Sequence, residues 1–404
     1  MSSFDASLNP GGLVAKRRLG HTAHTLFGGP HRRAGSLGAR RSPAPIWIET
    51  RSVVVSKSAD GTIVLDGSRG EGGGQILRSS LTASMLTGRP FRLAAIRAGR
   101  ERPGLRPQHL AAVEAAARLC RADVEGATVG SREILFRPGQ VVARDVAIDI
   151  GTAGSTALVL QTLHLAIALR SSGPTRLSLT GGTFNTKAPS FPFLAETWTA
   201  HLADFGLPTV VTMPKAGFYP VGCGGIEAWI EPADEPRAVV SDRRPGSIEI
   251  TGIAGVGRLP ESIAERMRDR AVARLAERGL SCSISVESWD SGSSGAAISL
   301  TARTESTRAT FVGLGERGRR SERVADDAVD ELLAHLDVAD AALDPHSADQ
   351  LILPAAFASG RSIFTISAAT EHLRTNLETL SAFVDRPMRV EEAEPGRPAR
   401  VIIG

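Results

Sequence analysis

The sequence predicts an α+β protein: three repeated units, each a four-stranded sheet with two helices, plus a small inserted α+β domain. Three observations carry this. From about residue 60, strand-like and helix-like segments alternate in one recurring order. The second strand of each unit follows glycine punctuation: Gly88-Arg89-Pro90, Gly173-Pro174 and Gly360-Arg361. The third unit is interrupted at about 252–318 by a segment with its own helix and three strands. The expected divisions are a basic disordered tail at 1–57, units one and two at 58–245, the start of unit three with the insert at 246–318, and the rest of unit three at 319–404.

Unit one reads as a strand at 62–66, a glycine loop, and a helix at 74–87 with Leu77, Leu81 and Met85 four residues apart. A strand from Phe91 to Ile96 follows, then a helix at 108–120 striped by Leu110, Val113, Ala117 and Cys120, and strands around Val124 and Ile134. Unit two starts at 146–150 and passes through Gly151-Thr152-Ala153-Gly154-Ser155 into an apolar helix at 155–170. A strand at 175–179, a helix with Phe191, Leu194, Trp198, Leu202 and Phe205 on one face, and two strands complete it. Unit three opens at 247–250 and resumes with helices at 321–338 and 349–358, a strand at 362–366, a helix at 371–383 and C-terminal strands. In the insert, Ile263, Met267, Ala271 and Leu275 stripe a helix, and Asp290–Gly295 reads as a hairpin loop.

A chain of 404 residues, 42% hydrophobic, can bury a sizeable core. Its net charge of +4 is unevenly spread: residues 1–57 carry nine Lys and Arg against Asp5 and Glu49, leaving −3 on the remainder. Any nucleic-acid contact by the body must then come from local arginine clusters. Aromatics are 4% of residues with one Tyr, which argues against a broad stacking platform for single strands. Three widely spaced cysteines show no metal-ligand pattern and suit a reducing, cytoplasmic setting. The apolar helix at 155–169 is too short to span a bilayer, so no membrane partner is expected.

Chemistry concentrates in Asp66-Gly67-Ser68-Arg69-Gly70-Glu71-Gly72-Gly73-Gly74-Gln75-Ile76-Leu77-Arg78. Glycines let the backbone approach a ligand, and a helix start offers N–H groups to an anion. The stretch is either a phosphate site or a tight strand-to-helix turn; it is neither a Walker A motif nor G-x-G-x-x-G. If phosphate binds, Glu71 calls for a bridging Mg²⁺ or Mn²⁺. The segment 92–109 holds five arginines with Gln108 and His109, a phosphate-matching set or a solvated loop. His372 sits in the first turn of a helix capped by Thr370, beside a stripe of Leu373, Leu377 and Leu380. The helix dipole there keeps an imidazole neutral and nucleophilic toward phosphorus, unless the ring is only structural. Asn376, one turn on, is placed to orient that ring or a phosphate.

Together these segments resemble the RNA 3′-terminal phosphate cyclase family over roughly residues 60–404. The likeness rests on Leu-Asp-Gly-x-x-Gly-Glu-Gly-Gly-Gly-Gln-Ile-Leu-Arg from Leu65, Ile-Arg-Ala-Gly-Arg from Ile96, and Pro-Gly-Leu-x-x-Gln-His-Leu from Pro103. Gly-Phe-Tyr-Pro from Gly217, Asp-Gln-Leu-x-Leu-Pro from Asp349 and His-Leu-x-Thr-Asn from His372 complete the set. The resemblance implies a thioredoxin-like topology for the insert, and ATP-dependent conversion of an RNA 3′-phosphate to a 2′,3′-cyclic phosphate. It implies a covalent His372–AMP, a divalent metal at Glu71, and phosphate contacts from Gln75, Arg78, Arg97, Arg100 and Gln108. Gln350 would lie near the nucleotide, Pro189 would pack on adenine, and His346 stands where the family commonly has a stacking Tyr. Phe184 and Thr186 also depart from the usual Gly-Gly-Thr-Asp-Asn-Pro. The alternatives are a non-catalytic relative acting in ribosome assembly, an enolpyruvyl transferase and a plain RNA-binding module.

Overall fold

The computed structural model describes residues 54–70, 73–142, 145–392 and 396–404. Unit one holds strands β1 (Val54–Lys57), β2 (Ile63–Asp66), β3 (Phe91–Ala94), β4 (Asp123–Glu125) and β5 (Ile134–Arg137), with helices α1 (Gln75–Thr87) and α2 (Pro107–Cys120). Unit two holds β6 (Val146–Asp149), α3 (Thr156–Arg170), β7 (Thr175–Gly181), a helix α4 over 191–204, β8 (Thr209–Lys215) and β9 (Gly224–Ile230). Then come β10 (Val240–Ser241), β11 (Glu249–Gly257), α5 (Ser262–Glu277), β12 (Cys282–Ser288), β13 (Gly295–Arg303), β14 (Arg308–Leu314) and α6 (Ser321–Leu336). The chain ends with α7 (Pro345–Phe357), β15 (Ser362–Ile366), α8 (Glu371–Ser381), β16 (Met388–Glu391) and β17 (Ala399–Ile403).

The three sheets repeat one topology. Their orders are β2-β3-β5-β4, β6-β7-β9-β8 and β10-β15-β17-β16, each with its first pair parallel and the rest antiparallel. Strand β7 alternates buried and outward residues along its length, the period-two pattern of a sheet with one face on the core. Helix α3 is buried on nearly every side because α1 and α2 pack on it from unit one while β7 and β9 pack from its own sheet. A polar stripe would have no solvent to face.

Two expectations are corrected. The tail at 1–57 runs too far: Val54–Lys57 pairs antiparallel with β2 as a fifth strand, whereas residues 1–53 lie outside the described residues. The insert is also longer than the expected 252–318, taking in all of β11 before it and α6 after it. Helix α6, expected in unit three, packs on α5, β13 and β14, and its Val324, Ala325, Ala328, Val329 and Leu332 join the insert core. Unit three starts instead at β10, which pairs parallel with β15. The insert sheet runs β12-β11-β13-β14 with only β11 and β12 parallel, the thioredoxin-like order. Arg244 ties entrance to exit: its guanidinium donates to the carbonyls of His335, Leu336, Val338 and Ala341 at the end of α6.

The core carries a titratable group. His164 on α3 is 2% exposed, edge-on to Trp198 and hydrogen-bonded through Nε2 to Thr209 Oγ1 at 2.7 Å. Burial pushes its pKa from 6.5 to about 3. Below pH 6.5 the unfolded chain therefore takes up a proton that the folded chain refuses, so stability is full above that pH and declines toward pH 3. His164→Gln is expected to flatten this fall by up to about 1.4 kcal/mol per pH unit, read from urea midpoints at pH 7, 6 and 5. Parallel pH profiles for both proteins would contradict it.

Candidate active site

A cleft of about 950 Å³ opens where the three units and the insert meet. Its first wall is the start of α1. Gly74 caps that helix with no side-chain bond to its first turn, and Gly73, Gly74 and Gln75 at the helix start line the wall. Arg78 Nη2 donates to Gln75 Oε1 at 2.7 Å, and Gln75 Nε2 donates to Ser79 Oγ at 3.1 Å, so both long side chains are held in place. A side chain at Gly74 would collide: its Cβ would lie 2.5 Å from His109 Nε2 and 2.7 Å from Arg78 Nη1.

The second wall is the loop and helix after β3. Arg97, Arg100, Gln108 and His109 line it. Arg97 is fixed by donating to the carbonyls of Arg102 (2.8 Å) and Gly104 (3.2 Å). His109 was grouped with these arginines by sequence but given no role. Its Nδ1 accepts the Arg106 backbone N–H at 3.1 Å, so the neutral ring carries its proton on Nε2, toward Gly74. Burial, then the charges of Arg78, Arg97 and Arg106, push its pKa down to about 3. A neutral donor thus stands among cations.

Units two and three close the cleft. Asn185, Thr186, Lys187, Ala188 and Pro189 line it, with Asn185 Nδ2 donating to Ala153 O at 2.6 Å. Phe184 points elsewhere: it is 2% exposed and stacks on Phe218 and Trp289, each 4.9 Å away. On α7, Asp344 caps the helix through the N–H groups of His346 and Ser347, which sets His346 and Gln350 on the wall. Glu331 at 3.8 Å, with Asp344 and Asp349 near, raises the His346 pKa to about 9. The side chain is 60% exposed, so water screens part of that pull.

His372 lies on the same cleft, exposed on the first turn of α8, while Leu373 beneath it is fully buried. Thr370 Oγ1 accepts the Leu373 N–H (2.9 Å) and donates to Asp349 Oδ1 (2.6 Å), which ties the start of α8 to α7. Asn376 is not on this wall. It is 2% exposed; its Oδ1 accepts from Ser79 Oγ and its Nδ2 donates to Asp349 O at 2.9 Å. It borders a cavity of about 40 Å³ behind Gln75, Arg78 and Gln350, and so bolts α1 to α7 and α8. Glu71 lies outside the described residues, and no cluster of three or more His, Cys, Asp or Glu among the described residues makes a metal centre. The sequence also missed a wall from the insert: Thr310, Val312 and Leu314 of β14, with Glu316, Arg319, Asp327, Asp330 and Glu331.

Arginine forks, a neutral imidazole donor and a helix start therefore line one cleft together with an exposed imidazole, a donor set that suits an anionic group. A family profile described as RNA 3′-terminal phosphate cyclase matches residues 69–390. The chain belongs to the RNA 3′-terminal phosphate cyclase family. Proteins named RNA 3′-terminal phosphate cyclase from Methylococcus capsulatus and Caldivirga maquilingensis are 40% and 41% identical to it, over 82% and 80% of this chain and 94% and 93% of their own. One of the same name from Salmonella typhimurium is 39% identical over 84% of this chain and 98% of its own. The aligned cyclases span the repeated core and the insert together. No helix among the described residues is long and apolar enough to cross a membrane.

Proposed function

We propose that this chain is an ATP-dependent RNA 3′-terminal phosphate cyclase acting through a covalent histidine–AMP. The observation that carries the reading is that His372, from the end of the chain, shares one cleft with Gln75, Arg78, Arg97, Arg100, Gln108, Pro189, His346 and Gln350. A neutral ring nitrogen of His372 attacks the α-phosphorus of ATP; a P–N bond forms, the P–O bond to pyrophosphate breaks, and pyrophosphate leaves. An oxygen of the RNA 3′-phosphate then attacks the same phosphorus, breaking P–N and forming a phosphoanhydride. The vicinal 2′-OH loses its proton and attacks the terminal phosphorus, AMP departs, and the 2′,3′-cyclic phosphate remains. Adenylation is required because a phosphate oxygen is a poor leaving group and AMP a good one.

The arginines neutralise the phosphates and His109, a neutral donor, helps position them; Pro189 and the His346 ring flank the base, and Asn376 holds α1 against α8. Glu71 would hold Mg²⁺ or Mn²⁺. Bound there, the metal would offset phosphate charge. Glu71→Ala is expected to lower turnover about 100-fold and to raise the Mg²⁺ concentration giving half-maximal rate. An unchanged metal titration would remove Glu71 from this role. A non-catalytic relative in ribosome assembly is disfavoured by the exposed His372 on the cleft. The direct test is whether ATP and Mg²⁺ or Mn²⁺ make the 3′-phosphate of an RNA oligonucleotide resistant to phosphatase. Persistent sensitivity under every metal would overturn the reading.

A further inference from the structure

The reaction leaves one motif unused. Gly217-Phe218-Tyr219-Pro220 carries the chain's only tyrosine, and its side chain is 80% exposed, with Val221 beside it 53% exposed. The loop beneath is heavily braced. Phe218 is 5% exposed, stacks nearly parallel on Phe184, and donates its N–H to Ser293 Oγ at 2.8 Å. Gly222 N–H closes the turn onto Phe218 O at 2.7 Å, and Ser293 Oγ donates to Gly222 O at 3.2 Å. A Cβ at Gly295 would lie 2.0 Å from the Phe218 ring, and one at Gly292 would lie 2.7 Å from Cys223 Cβ, so the insert's 291–295 turn is pressed against the loop.

The loop is also tied to the segment that lines the cleft. Thr183 and Phe184 N–H groups donate to Gly217 O, and the next residues, Asn185 to Lys187, form the cleft lip. Gly222 abuts Ala153, whose carbonyl accepts from Asn185 Nδ2, and Gly154 touches Gln108 on the opposite wall. Two exposed cations belong to segments packed on this loop: Lys187 in the cleft lining, and Arg258 directly after Gly257, where an added Cβ would lie 3.1 Å from the Phe218 ring. An exposed aromatic on a braced loop, joined to a phosphate-binding cleft and to a segment bearing a second cation, fits a strand that alternates phosphates and bases.

We infer that Tyr219 is a stacking platform for one base of the RNA strand just upstream of the 3′ end, with Lys187 and Arg258 meeting the backbone; this rests on the cyclase reading above. It would hold the strand's register while its terminal phosphate lies in the cleft.

The test is anisotropy titration of a 5′-fluorescein RNA oligonucleotide bearing a 3′-phosphate, with wild type, Tyr219→Ala and Tyr219→Phe. Tyr219→Ala is expected to raise Kd about tenfold and Tyr219→Phe to leave it within about twofold, since stacking needs the ring and not the hydroxyl. An abasic nucleotide at one upstream position is expected to abolish the difference between wild type and Tyr219→Ala. Equal Kd values for wild type and Tyr219→Ala would overturn the inference, as would a deficit that persists at every abasic position. A lower solution mass for Tyr219→Ala than for wild type in light scattering would also overturn it by making the ring a subunit contact. Binding is read without turnover, so ATP-dependent phosphatase resistance in wild type separates failure of this inference from failure of the cyclase reading.

Discussion

Replacing His372 by alanine is expected to reduce ATP-dependent cyclisation by about 10⁴-fold or more while leaving fold and RNA binding intact. A covalent nucleophile has no substitute: water or a neighbouring side chain would have to attack the α-phosphorus instead. The ring lies on the exposed side of α8, and the helix is held by Leu373, Leu377 and Leu380 together with the Thr370 cap. Its removal therefore takes nothing from the core, and the melting temperature is expected to stay within a few degrees. Turnover above about one per cent of wild type would exclude His372 as the nucleophile.

The second large effect is expected at Gly74. The backbone there has φ −84° and ψ −4°, which alanine adopts freely, so any defect is steric and not conformational. The added methyl meets the buried His109 ring and the Arg78 guanidinium, and both must move. Displacing a phosphate-positioning group by about 1 Å costs on the order of 100-fold in rate. Gly74→Ala is thus expected to lose about 100-fold in kcat/KM with at most about 1–3 kcal/mol of stability. Gly88→Ala is the matched control. Gly88 ends the same helix at φ 70° with open space around it, so strain of about 1 kcal/mol should appear there with no loss of rate. Equal kinetics for the two variants would show that the start of α1 does not position substrate.

Much of this was legible because the signals are local. The Leu77, Leu81 and Met85 stripe, the glycine punctuation before β3, β7 and β15, and the Thr370 cap each follow from residues a few positions apart. They placed α1, the repeat and the helix that carries His372. What escaped depends on which surfaces meet. The apolar stripe of α6 fits a unit-three sheet or the insert sheet equally well, and only the packing on α5 decides. The two-residue β10 is too short for any periodicity. Asn376 lies one turn from His372, but Ser79 and the Asp349 carbonyl claim both ends of its amide from other elements. Phe184 departs from the usual Gly-Gly-Thr-Asp-Asn-Pro, but its ring fills an apolar joint with Phe218 and Trp289, so the departure falls outside the cleft lining. The tautomer of His109 is set by Arg106 three residues before it, a capping-box pattern that the spacing did contain.

The most direct measurement is a pulse–chase of adenylate. Wild-type protein is incubated with α-labelled ATP and Mg²⁺ or Mn²⁺, freed of nucleotide, and then given an unlabelled 3′-phosphorylated RNA. The expected result is label bound to wild type and absent from His372→Ala, stable to alkali and labile to acid as a P–N bond should be, and released as AMP in step with cyclic ends when RNA is added. Label that never attaches to wild type, or that stays attached when the 3′-phosphorylated RNA arrives, would contradict the account.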